Sequence, residues 1–264
     1  MRTGDKLGAT SHMTPFSITG SYGAYYENWA ELRLKGNAPE RRSYHSSFVY
    51  DNKLFIFGGL DIRVGSINTL WELNLSNMRD LDNDDGYKLE TFGWKKVQTS
   101  GNDAARPDKI AYHTSVVFKD NMYLFGGNNY KSMSEDDCPQ PFLSYLNLRT
   151  MGWQQIKTRG DIVQQRDEHT AVINKETGQM VIFGGFMQGT RTNETSIFNI
   201  TANNWVNVKF PRGEALPCPR SGHSASIYNG SMYIFGGKDE NSEKINDLWC
   251  FNIADQMWKR IQLA

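Results

Sequence analysis

Four histidines each open a similar short apolar stretch: HSSFVY from His45, HTSVVF from His113, HTAVIN from His169 and HSASIY from His223. Four imidazoles at equivalent positions could ring a metal ion, since neutral imidazole is the commonest protein metal ligand. The spacing supports something plainer. The histidine recurs because a whole unit recurs, and at a strand start it serves as a buried hydrogen-bonding residue. Arg42, Arg166 and Arg220 stand three residues before three of these histidines. Guanidinium groups converging on one place would hold carboxylates or a phosphate bidentately. Their other role would be to bond backbone carbonyls of a neighbouring unit, and the sequence leaves both roles open. The second unit departs from the set, with Ile110 in that place and Arg106 and Lys109 earlier. No GxSxG, HExxH, GxxxxGKS/T or strand-borne GxGxxG occurs, and no paired Cys/His spacing suits zinc. The expectation is therefore a non-enzymatic chain with no cofactor and no metal.

The elements that position these residues are written four times. KLFIFGG (53–59), NMYLFGG (121–127), QMVIFGG (179–185) and SMYIFGG (231–237) each run apolar alternation into a glycine pair. After each pair come a variable loop and a third apolar stretch: TLWELNL (69–75), FLSYLNL (142–148), TSIFNI (195–200) and DLWCFNI (247–253). A fourth stretch opens on Trp94, Trp153, Trp205 or Trp258. Period-two alternation with β-branched and aromatic residues predicts strands throughout, and no segment carries a helical stripe. Repeats of this length holding four strands each suggest propeller blades stacked around an axis.

This order of arginine, histidine, strand, glycine pair, strand and tryptophan strand resembles the kelch repeat, over about residues 29–262. The resemblance implies an all-β, kelch-type β-propeller of four four-stranded antiparallel blades. Repeats are expected at about 41–98, 106–157, 166–209 and 218–262, within a propeller domain at 28–264 that follows a flexible segment at 1–27. It also implies that each tryptophan packs close to a glycine pair, where only glycine lets a large ring approach the backbone. Ahead of the first unit, residues 28–35 repeat a fourth strand, with Trp29 matching Trp94. An extra strand of that kind fits a chain that is part of a larger propeller; the alternative is an open arc or tight ring of four blades. Copper-radical oxidases share this fold, yet Cys138 and Cys218 lie in polar loops with no histidine nearby except those of the repeat.

Propellers usually carry function on their loops. The loops after the glycine pairs, LDIRVGSIN (60–68), NNYKSMSEDDCPQP (128–141), FMQGTRTNE (186–194) and KDENSEKIN (238–246), differ in length, charge and aromatic content. In peptide-binding kelch propellers the arginine, its successor and the residues just after the glycines touch the ligand. Carried over, these are Arg42 and Ser43, Ile110 and Ala111, Arg166 and Asp167, Arg220 and Ser221, with Asp61, Asn128, Asn129, Phe186 and Lys238. Arg63 and Arg191 add charge to the same loops. The expected partner is a protein or peptide, acidic or phosphorylated, and the expected role is an adaptor or scaffold; the alternatives are a propeller enzyme or the regulatory half of a larger catalytic protein. The acidic insertion at 80–86 would lie on the opposite face.

The whole-chain numbers agree. With 29 basic and 29 acidic residues the net charge is zero, so no basic field draws nucleic acid or an anionic membrane. Cys138, Cys218 and Cys250 are odd in number and unpatterned, which predicts free thiols and a cytoplasmic protein. No apolar run is long enough to span a bilayer and the first residues lack a signal-peptide core. The Asn-x-Ser/Thr matches at Asn74, Asn193, Asn199 and Asn229 read as chance.

Overall fold

The computed structural model describes residues 36–76, 93–101, 105–129 and 143–262. Every regular element among them is a strand. The first blade contains β1 (Ser46–Tyr50), β2 (Lys53–Phe57), a small hairpin of β3 (Leu60–Asp61) and β4 (Gly65–Ser66), then β5 (Leu70–Asn74) and β6 (Trp94–Val97). β7 (Ser100–Gly101) leads to the second blade, β8 (Thr114–Phe118), β9 (Asn121–Phe125), β10 (Leu143–Asn147) and β11 (Gly152–Gln155). β12 (Arg159–Gly160) leads to the third: β13 (Thr170–Asn174), β14 (Gln179–Phe183), a hairpin of β15 (Phe186–Met187) and β16 (Thr190–Arg191), β17 (Thr195–Asn199) and β18 (Asn204–Asn207). The fourth is β19 (Ser224–Tyr228), β20 (Ser231–Phe235), β21 (Leu248–Asn252) and β22 (Met257–Ile261).

Each blade is an antiparallel meander whose four main strands follow chain order across the sheet. The second and third blades gain a fifth, parallel edge strand, because β7 pairs with β11 and β12 with β18. Two-residue turns close the first hairpins: Asp51 and Asn52 take φ of 47° and 54°, Asn229 and Gly230 of 46° and 69°. That left-handed pair matches the twist of the flanking strands, which is why Asn and Gly sit there. β1 packs on β8, β8 on β13 and β13 on β19, while no comparable packing links β19 back to β1. The first strands thus line the axis, and the tryptophan strands are the outermost of each blade's four main strands.

The core consists of three seams between four blades. Phe57 and Leu70 meet Leu124 and Trp153 in the first seam, Phe125 meets Ile182 and Trp205 in the second, and Phe183 meets Met232 and Trp258 in the third. In each seam the phenylalanine before the glycine pair meets the tryptophan of the next blade, at 5.3, 5.4 and 4.7 Å between centroids. Burial of each such ring stabilises the seam by about 1.5–3 kcal/mol.

The glycine pairs are crowded by a different ring than the repeat resemblance implies. A Cβ on Gly58 would stand 2.7 Å from His113 Cε1 and equally close to the Ile110 carbonyl; on Gly184 it would meet His223 Cε1 at 2.9 Å and the Arg220 carbonyl at 2.8 Å. Both residues also take positive φ, 66° and 65°. The next blade's histidine, and not a tryptophan, is the ring that requires glycine there. The expected outer strand at 28–35, the tail at 1–27, Cys138 and the acidic stretches at 80–86 and 134–137 lie outside the described residues. No helix among the described residues is long and apolar enough to cross a membrane, and Cys218 and Cys250 are free thiols.

Candidate functional site

The histidines work between blades. Ser46 Oγ shares a hydrogen bond of 2.8 Å with His113 Nε2, Thr114 Oγ1 one of 2.7 Å with His169 Nε2, and Thr170 Oγ1 one of 2.7 Å with His223 Nε2. The three imidazoles also stand edge-on to Phe57, Phe125 and Phe183. Burial pushes His113 and His223 down to about 3 and holds His169 well below its ordinary value. They are neutral at physiological pH, and each Nε2 is committed to a hydroxyl.

The arginines are held inside their own blades. Arg42 donates to the Gly58 carbonyl at 2.9 Å and to Thr69 Oγ1 at 2.9 Å, and pairs with Glu40. Arg166 donates to Glu194 at 2.6 Å and lies near the Gly184 carbonyl. Arg220 donates to both carboxylate oxygens of Asp247, at 2.6 and 2.9 Å, and to the carbonyls of Gly236 at 3.1 Å and Cys218 at 3.2 Å. The side chains of Arg166 and Arg220 are 0% exposed and that of Arg42 is 3% exposed. Burial opposes ionisation of Asp247, but hydrogen bonds from Arg220 and Trp249 hold its carboxyl below the usual range. The carbonyls that these arginines clamp belong to their own blade, not to the neighbour that the sequence suggests. Ile110 takes the place in the second blade and is fully buried.

The remaining site residues fall into pairs. Ser43 bridges Leu60, Ala111 bridges Asn128, Asp167 bridges Phe186 and Ser221 bridges Lys238, each joining a first strand's approach to the residue just past the glycines. The position equivalent to Asn128, Phe186 and Lys238 is thus Leu60; Asp61 lies one residue further on. Asp61 is buried and accepts from Arg63 Nη2 at 2.7 Å, and the Arg63 side-chain hydrogen bond is the main cause lowering its carboxyl to about 2. Arg191 stands 5.8 Å over the Phe186 ring and donates to Ser221 Oγ at 3.0 Å; Ser221 donates in turn to Glu168 at 2.7 Å. Asn129 follows Asn128 and is half-buried. Lys238 and Phe186 are exposed, as are Ile62 (95%) and Val64 at the tip of the β3–β4 hairpin.

What these pairs surround is a cleft of about 350 Å³, lined by Tyr44, His45, Tyr112, His113, Glu168, His169, Gly222, His223 and Lys238. Four of these, Tyr44, Tyr112, Glu168 and Gly222, come immediately before the repeat histidines, and all take positive φ between 52° and 64°. The Tyr112 amide donates to the Tyr44 carbonyl at 3.0 Å, Glu168 to Tyr112 at 3.3 Å, and Gly222 to Glu168 at 2.9 Å. Tyr44 and Tyr112 stack at 3.8 Å. Sequence reasoning missed this position. The available signal was its place, directly beside the constant histidine, combined with residue types that vary from unit to unit.

A sheet-by-sheet array of antiparallel blades, with recurrent histidine and tryptophan seams and variable loops around an axial cleft, defines a β-propeller of kelch type. The family described as the KLHDC2/KLHL20/DRC7 Kelch-repeats domain matches residues 24–139 and 112–264, and the chain belongs to this kelch-repeat family. Among curated relatives, "Kelch domain-containing protein 3" of Bos taurus is 29% identical over 234 residues, covering 85% of this chain and 55% of the relative. "Leucine-zipper-like transcriptional regulator 1 homolog" of Drosophila melanogaster is 26% identical over 96% of this chain and 24% of its own length. "Host cell factor 2" of Homo sapiens is 28% identical over 84% and 28%. The chain spans about half the length of the Kelch domain-containing protein 3 that it matches.

Proposed function

We propose that this chain is a non-enzymatic interaction module that binds a peptide or protein segment over the axial cleft, as a substrate adaptor or scaffold would. The observation that carries this is the stacked Tyr44–Tyr112 pair in a cleft that exposed Lys238 also lines. Amphipathic aromatic rings supply contact area at little entropic cost and anchor binding surfaces. An acidic or phosphorylated residue of the partner would meet Lys238 and Arg63 at the rim. The buried arginines have no spare role in that contact, since their donors are already spent on Thr69, Glu194 and Asp247. Charge at an exposed rim contributes about 0.2–1 kcal/mol per pair, so the aromatic anchor should dominate affinity.

The test is selection from a displayed peptide library, followed by calorimetry on wild type, Tyr44→Ala and Lys238→Glu. Peptides should share an aromatic or aliphatic residue near an acidic one. Tyr44→Ala should weaken them at least tenfold, and Lys238→Glu a few-fold, with thermal stability unchanged. Equal affinity for all three proteins would overturn the assignment of this face.

A further inference from the structure

Away from the glycine pairs, the outer mouths of the three seams are filled by different residues. The third residue of each blade's second strand pairs with the third residue of the next main strand: Phe55 with Glu72 in the first blade, Tyr123 with Tyr145 in the second and Val181 with Ile197 in the third. Phe55, Tyr123 and Val181 all face the following blade. In the first seam Phe55 is buried and Glu72 pairs with Lys53 at 3.1 Å and Lys95 at 3.8 Å. In the second, the Tyr123 and Tyr145 rings stand 5.6 Å apart. Val181 and Ile197 are smaller than either pair, and a cavity of about 370 Å³ opens beside Ile197. Gln256, from the turn between β21 and β22, closes it from the fourth blade. The cavity therefore lies within a seam between two packed blades, not on a face at either end of the array.

Its floor is apolar, with Ile197 buried and Val206 exposed. Its rim carries polar groups with nothing on them. The Arg159 guanidinium and the carboxamides of Gln179 and Gln256 have no hydrogen-bond or ion-pair partner among the described residues. Asn199 spends its Oδ1 on the Ala202 amide at 2.9 Å, which leaves its Nδ2 unused. Arg159 is brought to the rim by β12, which pairs with β18; the counterpart in the second blade is Ser100, which carries no charge. A guanidinium holds a carboxylate through two parallel bonds. Each carboxamide offers donors and an acceptor, the complement of a peptide group. An apolar floor with a few converging polar groups is the usual make-up of a ligand pocket, at about 300–1,000 Å³.

We propose that this cavity is a second binding site, which takes an aliphatic residue followed by an acidic one in an extended peptide segment. Successive side chains of an extended chain point to opposite sides, so the aliphatic one enters toward Ile197 and Val206 while its neighbour's carboxylate turns to Arg159 at the rim. The backbone between them meets the carboxamides of Gln179, Asn199 and Gln256. The site lies at the strand ends opposite the axial cleft, because Gln179 begins the strand that Phe183 ends beside the glycine pair. It shares no residue with that cleft, so the inference does not depend on the axial cleft binding a peptide.

Methyl and side-chain amide NMR on the full chain tests it, with two capped dipeptides as probes: acetyl-valyl-glutamyl amide and its uncharged partner, acetyl-valyl-glutaminyl amide. The acidic probe should shift the Ile197 and Val206 methyl signals and the Gln256 side-chain amide saturably, and the uncharged probe should bind at least fivefold more weakly. Arg159→Gln should abolish that preference, and Val206→Trp should block both probes by filling the floor. Arg159 and Val206 are exposed, so thermal melts of both variants should match wild type. The absence of a saturable shift in wild type overturns the proposal, as does equal affinity for the two probes. It is also overturned by a preference that survives in Arg159→Gln, by binding that survives in Val206→Trp, or by shifts confined to Tyr44 and Tyr112, which would belong to the axial cleft.

Discussion

Arg220→Ala is the substitution whose effect the structure fixes most closely. The wild-type guanidinium makes two bonds to Asp247 and one each to the carbonyls of Gly236 and Cys218, all with its side chain 0% exposed. Truncation strands a carboxylate that is only 16% exposed, with the Trp249 indole at 2.7 Å as its remaining donor. Removing one partner of a buried pair costs about 3–5 kcal/mol. In a domain of this size each kcal/mol moves Tm by about 2–4 °C, so a fall of roughly 6–20 °C is expected. Arg42→Ala is the internal control. Its Glu40 partner is 44% exposed, so water takes over the carboxylate, and the loss should be only about 1–2 kcal/mol from the two bonds to Gly58 and Thr69. Thermal unfolding with equilibrium urea titration at low protein concentration measures both. An unchanged Tm for Arg220→Ala, or a larger loss for Arg42→Ala than for Arg220→Ala, would refute the strut assignment. Peptide affinity in the surviving folded fraction should be unaltered.

Phe125→Ala should cost about 3–5 kcal/mol by emptying a fully closed seam, whereas Phe235→Ala, at a ring 47% exposed in this chain, should be near neutral; chevron or urea data comparing the pair check this. Gly184→Ala should destabilise far more than Gly236→Ala, because only the former's Cβ meets a histidine and a carbonyl below 3 Å, and melting curves rank them. Acid should unfold the protein early. The folded pKa of His113 and His223 is about 3, below the unfolded value near 6.5, so the unfolded chain binds more protons between those limits. Stability is therefore flat above pH 6.5 and falls below it, by up to about 1.4 kcal/mol per pH unit for each such histidine. Urea midpoints from pH 7.5 to pH 5 should show this slope, and His223→Gln should reduce it.

The repeat was legible because the contacts that define it are written in residue types that admit few substitutes: glycine under a ring, a hydroxyl opposite an imidazole, an aromatic at a seam. The twelve inner strands and their tryptophan partners follow from alternation alone. Direction was not legible. The spelling of Arg42, Arg166 and Arg220 does not say whether a guanidinium points to the axis or back into its own sheet, because that depends on Thr69, Glu194 and Asp247 more than twenty residues later. The tryptophan's place was misjudged for a similar reason. Its partner is the phenylalanine of the preceding blade, and the ring that lies over the glycines, the histidine, is visible only when blades are stacked. Leu60, and not the carried-over Asp61, is the equivalent of Asn128, Phe186 and Lys238, because the antiparallel bridge to Ser43 sets the register and the spelling after Gly58 and Gly59 does not. The exposure of Phe235 could not be read either, since its repeat context matches that of Phe57, Phe125 and Phe183.

Hydrogen–deuterium exchange on the chain, with and without a library-selected peptide, tests most directly whether the axial cleft is the binding face. The account predicts added protection at residues 43–45, 110–113, 166–169, 186–191 and 220–223 and around Lys238, with the tryptophan strands β6, β11, β18 and β22 unchanged. Protection confined to those outer strands, with none around Tyr44 and Tyr112, would contradict it.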